Sequence, residues 1–359
     1  MFKPLGPSVV LLFFAFAVLG TAPSTSAQDQ SSPQGTIGSN VDLVSVYFTV
    51  RDDQKRLISE LPQTQFSVAE DGQPQTIKFF AHHSDVVLNV GILLDTGTNM
   101  AWLLGEEAQA SRMFVKHVVR PSDLGFVVSY ASRVDVLQLP TSDVALLSLA
   151  ASSVGSGSAV GLPDTGGSGR LGAPGGGTTV GINGKPINLN REAHLYDAIG
   201  TSTTRYLAHE VGRKAIVVVA LSGDSRSETT MEDALKTLLE SDVIAYVLQI
   251  SDAPHAHRDN CDVLHIYEKD AQGEYVLKKL AEATGGRMLE VKGIDNLEGA
   301  LDQISEELHH QYSLGYYPEN KKWDGNYRKI QISAPQGYKV YARKGYYAKR
   351  PVASPAAGQ

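Results

Sequence analysis

Val90-Gly91-Ile92-Leu93-Leu94-Asp95 has no polar side chain until its last residue. An apolar run with no alternation is what a strand covered on both faces requires. The same signature recurs at Leu124–Tyr130, Ile216–Leu221 and Val243–Ile250. Helical patterns separate these runs. Ala101–Val119 places Leu104, Ala108, Ser111, Val115 and Val118 on one face and stops before Pro121. Asp143 opens a short helix through Leu149, and Leu195–Leu207 reads as another. Thr229 or Thr230 starts a helix to Glu240, with Glu232 and Asp233 in its first turn, where the helix dipole favours negative charge. Tyr275–Ala283 ends at Gly285-Gly286 and is followed by a strand at Met288–Val291. Leu297, Leu301, Ile304 and Leu308 mark a last amphipathic helix. Strands alternating with helices across 86–310 predict an α/β fold with a doubly wound, mostly parallel, Rossmann-like sheet. In such sheets ligands bind beyond the carboxyl ends of the strands. Asp95, the residues after Leu221 and those after Ile250 are therefore the places to look for a site.

Both flanks of this region are β-like. In 41–85, Val44, Val46, Phe48 and Val50 alternate with other residues, and Phe66–Val68 and Thr76–Phe80 flank a Glu70-Asp71-Gly72 turn. In 311–348, Tyr312–Tyr317, Tyr327–Ile332 and Tyr338–Ala342 read as strands around a turn at Trp323-Asp324-Gly325-Asn326. Three strands make a poor independent unit, so the two flanks are expected to pack together as one small β unit. Tyr is abundant in the second flank, and alternate tyrosines are expected to fill its core. Residues 151–192 are rich in Gly and Ser and read as a flexible insertion, whose entropic cost grows only slowly with length.

The termini bear on location. Lys3, the apolar stretch Val9–Leu19 and Thr25-Ser26-Ala27 predict a signal peptide cut after Ala27, hence a secreted or periplasmic protein. Residues 28–40 read as a flexible leader and 349–359 as a disordered tail. No later run reaches the ~20 apolar residues of a membrane span. Cys261 is the single cysteine, so no intrachain disulfide can form. Apolar residues make up 42%, enough for a sizeable core, and the net charge of -7 gives no pull toward nucleic acid.

Several short motifs together resemble a known family. Leu93-Leu94-Asp95-Thr96-Gly97-Thr98-Asn99-Met100 resembles the first metal-site loop, D-x-S-x-S, of von Willebrand factor A domains. His194–Ile199 is similar to the segment after the third-loop threonine, and Leu221-Ser222-Gly223-Asp224 to the loop carrying the second metal aspartate. With Phe66–Phe80, Gln311–Pro318, Tyr327–Ile330 and Ala342–Tyr347, the set resembles the von Willebrand factor A-related family abundant in Acidobacteria, across residues 40–348. The resemblance implies a protein-binding or adhesion module whose loops hold Mg²⁺ in a metal-ion-dependent adhesion site.

This sequence departs from that ligand pattern. Asp95 is kept, Gly97 replaces a serine, and Asn99 replaces the second serine with an amide oxygen that can still ligate. Ala193 stands where a threonine is expected, and the Asp-Gly order is reversed at Gly223-Asp224. Asp95, Asn99 and Asp224 are the candidate ligands. They make a poor octahedral oxygen set for Mg²⁺, so the expectation is a degenerate site that binds metal weakly or not at all; the alternative is Mg²⁺-dependent adhesion through an intact though unusual site with Asp95, Asn99 and Asp224 as ligands. The expected protein-binding surface is Asp95, Thr96, Gly97, Thr98, Asn99, Gly223, Asp224, Ser225, His255, His257 and His265. An alternative Zn²⁺ or Cu²⁺ role, as binder or hydrolase, rests on His255, His257, Asp259, Cys261, Asp262 and His265, although their spacing fits no zinc pattern.

Other motifs fall away. Gly167-Ser168-Gly169-Arg170-Leu171-Gly172 satisfies G-x-G-x-x-G but neither follows a strand nor opens a helix. His209-Glu210 begins H-E-x-x-H, yet Arg213 occupies the final position. No nucleophile–base set is visible, so the chain is expected not to be an enzyme.

Overall fold

The structure is a computed structural model that describes residues 43–83, 86–96, 115–153, 193–220, 223–251, 271–292 and 296–349. The predicted signal peptide and leader, residues 101–114 of the helix predicted over 101–119, the Gly-rich segment from 154, the histidine-rich loop and the residues after 349 lie outside them.

Among the described residues, six strands form the central sheet, in the order β11-β10-β9-β6-β7-β8. They are β6 (Leu88–Asp95), β7 (Leu124–Tyr130), β8 (Val134–Thr141), β9 (Arg213–Ala220), β10 (Val243–Ser251) and β11 (Met288–Lys292). All neighbours are parallel except β8, which returns antiparallel to β7. From β6 the chain winds out to β7 and β8. It then crosses to the other side of β6 for β9, β10 and β11. The winding direction therefore reverses between β6 and β9, the switch point at which such sheets open a crevice.

Alternation along each strand divides the core into two layers. Leu88, Val90, Ile92 and Leu94 join Leu147 of α1 (Val144–Ser153) and Ile304 and Leu308 of α5 (Leu297–His309). Leu93, Phe126, Val128 and Tyr130 meet α2 (Leu195–Ser202), α3 (Met231–Glu240) and α4 (Ala271–Thr284) through Leu195, Leu238 and Leu280. Helices thus cover both faces, which is why the strands carry so little polarity. The helix starts follow local chemistry. Asp143 accepts from the amides of Ala145 (2.8 Å) and Leu146 (3.2 Å). Thr230 accepts from Asp233 N at 3.1 Å. Two helices run longer than their apolar pattern. Helix α1 continues to Ser153, taking 151–153 out of the predicted insertion, and α4 begins at Ala271.

The flanking strands pair with each other in two further sheets. One has the order β14-β1-β12-β5, from β14 (Tyr338–Ala342), β1 (Val44–Asp52), β12 (Gln311–Tyr316) and β5 (Ile77–His83). The other has the order β15-β13-β3-β4, from β15 (Gly345–Tyr347), β13 (Tyr327–Ser333), β3 (Ser67–Glu70) and β4 (Gln73–Gln75). The Glu70-Asp71-Gly72 turn therefore joins β3 to β4, and β5 crosses to the other sheet, where Phe80 faces Leu314. Both sheets enclose Val44, Val46, Phe48, Phe66, Tyr312, Tyr316, Ile330 and Tyr346. Tyr317, Tyr327 and Tyr338 are exposed. Inside this core Glu70 accepts from the hydroxyls of Tyr316 and Tyr346, each at 2.9 Å, and pairs with Arg328 at 3.3 Å.

The other face of β1 meets the α/β layers. Arg51 and Arg287 both pair with buried Glu307 of α5. Arg343 pairs with Asp242 and donates to Ser45 O at 2.7 Å.

Candidate functional site: the carboxyl rim of the central sheet

Strand register assembles the floor of the site. Asp95 is the last residue of β6 and pairs with Tyr130 of β7. Leu94 pairs with Val219, so Asp95 stands beside Ala220 of β9. Ala220 in turn pairs with Gln249 of β10. Tyr130, Asp95, Ala220 and Gln249 therefore form one row across four strands. Alternation puts all four on the face packed by α2, α3 and α4, since Leu93, Val128, Val218 and Val247 belong to that layer. The row is buried: Asp95 is 4% exposed and Gln249 7%.

Two carboxylates act on it. The Tyr130 hydroxyl donates to Val219 O at 3.3 Å. Burial, with the negative charges of Asp95 and Asp224, pushes its pKa well above the ordinary phenol value. Asp95 and Asp224 are thus both within electrostatic reach of one buried hydroxyl. Asp95 has further interactions of its own.

Above the floor, residues 223–230 are tied to the start of α2. Asp224 Oδ1 accepts from Tyr196 N at 3.1 Å and from the Ser227 hydroxyl at 2.5 Å, and its Oδ2 accepts from Ser227 N at 3.1 Å. Ser225 and Ala193 exchange two bonds, Ser225 N to Ala193 O at 3.0 Å and Ala193 N to Ser225 Oγ at 2.8 Å. Asp197 accepts from Glu228 N at 3.0 Å and Thr229 N at 2.9 Å, with His194 Nδ1 3.1 Å from its Oδ2. Burial alone would raise the Asp197 carboxyl. The bonds from Thr229, His194 and Glu228 outweigh it and hold the group below the usual carboxylate range. Thr96 completes the rim on the β6–β7 side, its amide donating to Tyr130 O at 2.9 Å.

This geometry decides how well the candidate ligands fit a cation. A Cβ built on Gly223, the position of the second metal aspartate in the resemblance, would lie 2.8 Å from Gly273 Cα in the first turn of α4. No carboxylate fits there while α4 stays in place. Asp224, displaced by one residue, already accepts three hydrogen bonds of the roughly four a carboxylate can take. Ala193 offers no hydroxyl. Among the described residues no group of three or more His, Cys, Asp or Glu could hold a metal ion. The described residues alone do not supply the octahedral oxygen set that Mg²⁺ takes.

Of the residues singled out from sequence, Asp95, Thr96, Gly223, Asp224 and Ser225 converge on this rim. Gly97, Thr98, Asn99, His255, His257 and His265 lie outside the described residues, as do Asp259, Cys261 and Asp262. Sequence reading missed Gln249, Asp197 and Tyr130. For Gln249 a signal existed, one amide inside an apolar run, but its place opposite Ala220 depends on register between distant segments.

The strand order and the switch point define an α/β domain with a mostly parallel sheet, and the quoted motifs resemble those of von Willebrand factor A domains. No protein-family model matches the chain, and no curated protein does. The narrower resemblance to the acidobacterial family therefore rests on the quoted residues alone. Among solved structures, the chain is similar to proximal thread matrix protein 1 from the mussel byssus at 13% identity and TM-score 0.42, over 64% of this chain and 50% of that one. The chain thus spans about half the length of that protein. It is also similar to a conserved hypothetical protein, BatB, from Bacteroides thetaiotaomicron (16%, TM-score 0.40, 62% and 98% covered). A third match is a von Willebrand factor type A structure from Catenulispora acidiphila (11%, TM-score 0.41, 77% and 71% covered). Another structure of the mussel protein holds zinc in its metal-ion-dependent adhesion motif. Among the described residues no helix is long and apolar enough to cross a membrane.

Proposed function

We propose that the chain is an exported protein-binding module, not an enzyme, and that its binding rim is held in shape without a metal. One observation carries this reading. The loop that would deliver a metal carboxylate is fastened to α2 by Asp224, Ser225 and Ser227, and the metal position itself is closed against Gly273. In a cation-dependent site the ion draws the loops together and presents one open position to the partner. Here side chain–backbone bonds draw together the loop after β9 and the start of α2. The surface left for a partner is the polar rim of Thr96, Asp224, Ser225 and their neighbours.

Two measurements test it. Calorimetric titration with Mg²⁺, Mn²⁺ and Ca²⁺ is expected to give no binding heat and no rise in melting temperature. A photo-cross-linker at Ser225 is expected to trap a discrete partner in the source cells, whereas one at exposed Val211, just before β9 at the amino ends of the strands, is not. Stoichiometric Mg²⁺ binding, or equal trapping from both positions, would overturn the proposal.

A further inference from the structure

Charge is unevenly divided along the chain. Residues 311–349 hold eight Lys or Arg against two Asp or Glu, a net +6, whereas the whole chain carries -7. The remaining residues therefore carry -13. A basic block on an acidic protein is the mark of an interaction surface. The two arginines of the block serve the interior, Arg328 pairing with Glu70 and Arg343 with Asp242. Its six lysines, Lys321, Lys322, Lys329, Lys339, Lys344 and Lys349, are all exposed. Among the described residues only Lys349 of these has a carboxylate partner, Glu240 at 2.7 Å.

Strand alternation gathers part of this charge on one face. Along β13, Tyr327, Lys329, Gln331 and Ser333 are exposed, while Arg328 and Ile330 are buried on the other side. Register sets Tyr347 beside Tyr327, Gly345 beside Lys329, Ala69 beside Gln331 and Ser67 beside Ser333. The neighbours of Lys329, Gln331 and Ser333 are all small, which leaves a shallow ledge on a line of about 20 Å. A Cβ on Gly345 would collide with the Tyr327 ring, so glycine is what lets that ring lie across the strand. Tyr327 and Tyr347 meet edge to face at 5.3 Å, and Lys236 of α3, also exposed, sits over the Tyr347 ring at 5.6 Å. Lys236, Tyr347, Tyr327, Lys329, Gln331 and Ser333 thus form one connected strip. The acid beside it, Asp71, is turned to the sheet, its Oδ1 accepting from Lys329 N at 2.8 Å.

The parts of the strip narrow the partner. Exposed lysines attract negative charge. Tyrosine rings offer flat apolar faces with polar tips, and the Gln and Ser side chains both donate and accept hydrogen bonds. Duplex nucleic acid carries a charge every ~1.7 Å, a density that the strip's two lysines do not match. The -13 of the remaining chain opposes it further. A polymer with a carboxylate on each ring and hydroxyls between fits the succession of charge, ring and amide. We propose that this face binds an acidic polysaccharide, with carboxylates at Lys236 and Lys329, sugar rings against Tyr327 and Tyr347, and hydroxyls bonded to Gln331 and Ser333. The face shares no residue with the carboxyl rim and stands without it.

The test is affinity electrophoresis of the full chain through gels containing polygalacturonate. Saturable retardation is expected, weakening as salt rises, because the charge pairs are exposed. The fully methyl-esterified polymer has the same rings without the charge and should bind at least about tenfold more weakly, as should poly-deoxythymidine. Lys236→Gln and Lys329→Gln should each weaken binding about two- to fivefold, the range of an exposed ion pair. Tyr327→Leu, which removes the ring and keeps an apolar side chain, should weaken it about fivefold. The lysine variants, at exposed positions, stay informative if Tyr327→Leu does not fold. Lys116→Gln, which removes an equal charge from an exposed lysine of the α/β layers, should leave binding unchanged. Absent retardation, equal binding of the methyl ester, tighter binding of poly-deoxythymidine, or equal losses in Lys116→Gln and Lys329→Gln would overturn the assignment.

Discussion

Gly223→Asp would place a carboxylate where the resemblance to von Willebrand factor A loops puts one, and the structure predicts loss, not gain. The new Cβ would start 2.8 Å from Gly273 Cα, and both atoms belong to backbone that cannot rotate away. Reaching even 3.4 Å requires the loop and α4 to part by about 0.6 Å. Helix α4 packs on the sheet through Leu277, Leu280 and Ala281, so the strain spreads into a close-packed layer. Overpacking of this kind costs about 1–3 kcal/mol. At about 2–4 °C per kcal/mol for a domain of this size, the melting temperature should fall by about 2–12 °C. Gly223→Ala should show most of that fall, since the methyl group alone makes the clash. Differential scanning calorimetry of both variants, with and without Mg²⁺, measures the effect. A Gly223→Asp chain that melts like the parent, or gains a Mg²⁺-dependent rise, would refute the argument that α4 closes the metal position.

Three further outcomes follow from the same geometry. Asp224→Ala removes three acceptor contacts and should cost about 1–3 kcal/mol, with hydrogen exchange accelerated at Tyr196 and Ser227, which donate to it. Glu307→Ala leaves buried Arg51 without its carboxylate partner, and partly buried Arg287 without its ion pair, and should cost about 3–5 kcal/mol in chemical denaturation. Asp123 gives an acid dependence of known sign. Burial alone would raise its carboxyl, but bonds from His309, Leu88 N and Arg120 N hold it below the usual range. As pH falls, the unfolded chain takes up the proton first. The stabilisation is complete above the unfolded value near pH ~3.9 and is lost as pH drops through the lower folded value. Asp123→Asn should flatten that part of the stability–pH curve, and an unchanged slope would show that another group is responsible.

Much of the fold could be read from local pattern. The unalternating runs at Val90–Leu94, Ile216–Ala220 and Val243–Ile250 are buried parallel strands, because only a sheet covered on both faces tolerates them. Thr230 caps its helix and Asp143 another, since both signals act within three residues. Asp95 at the carboxyl end of β6 was legible for the same reason, a single carboxylate closing an apolar run. The rim was legible only in part. The reversed Gly223-Asp224 order showed that a metal ligand was missing. Why glycine stands there depends on Gly273, some fifty residues away.

What the sequence alone determined is the list of elements, the two-faced burial of the central strands and the end of the sheet where chemistry can gather. These follow from periodicity and capping, which act over a few residues. Only the tertiary structure decided that β5 leaves its hairpin neighbour to pair with β12, that Asp224 serves as a clamp, and that Gln249 shares a row with Asp95. Each depends on register between segments far apart in the chain. A shift of one residue would turn the same side chain to the opposite face, and no local pattern carries that information.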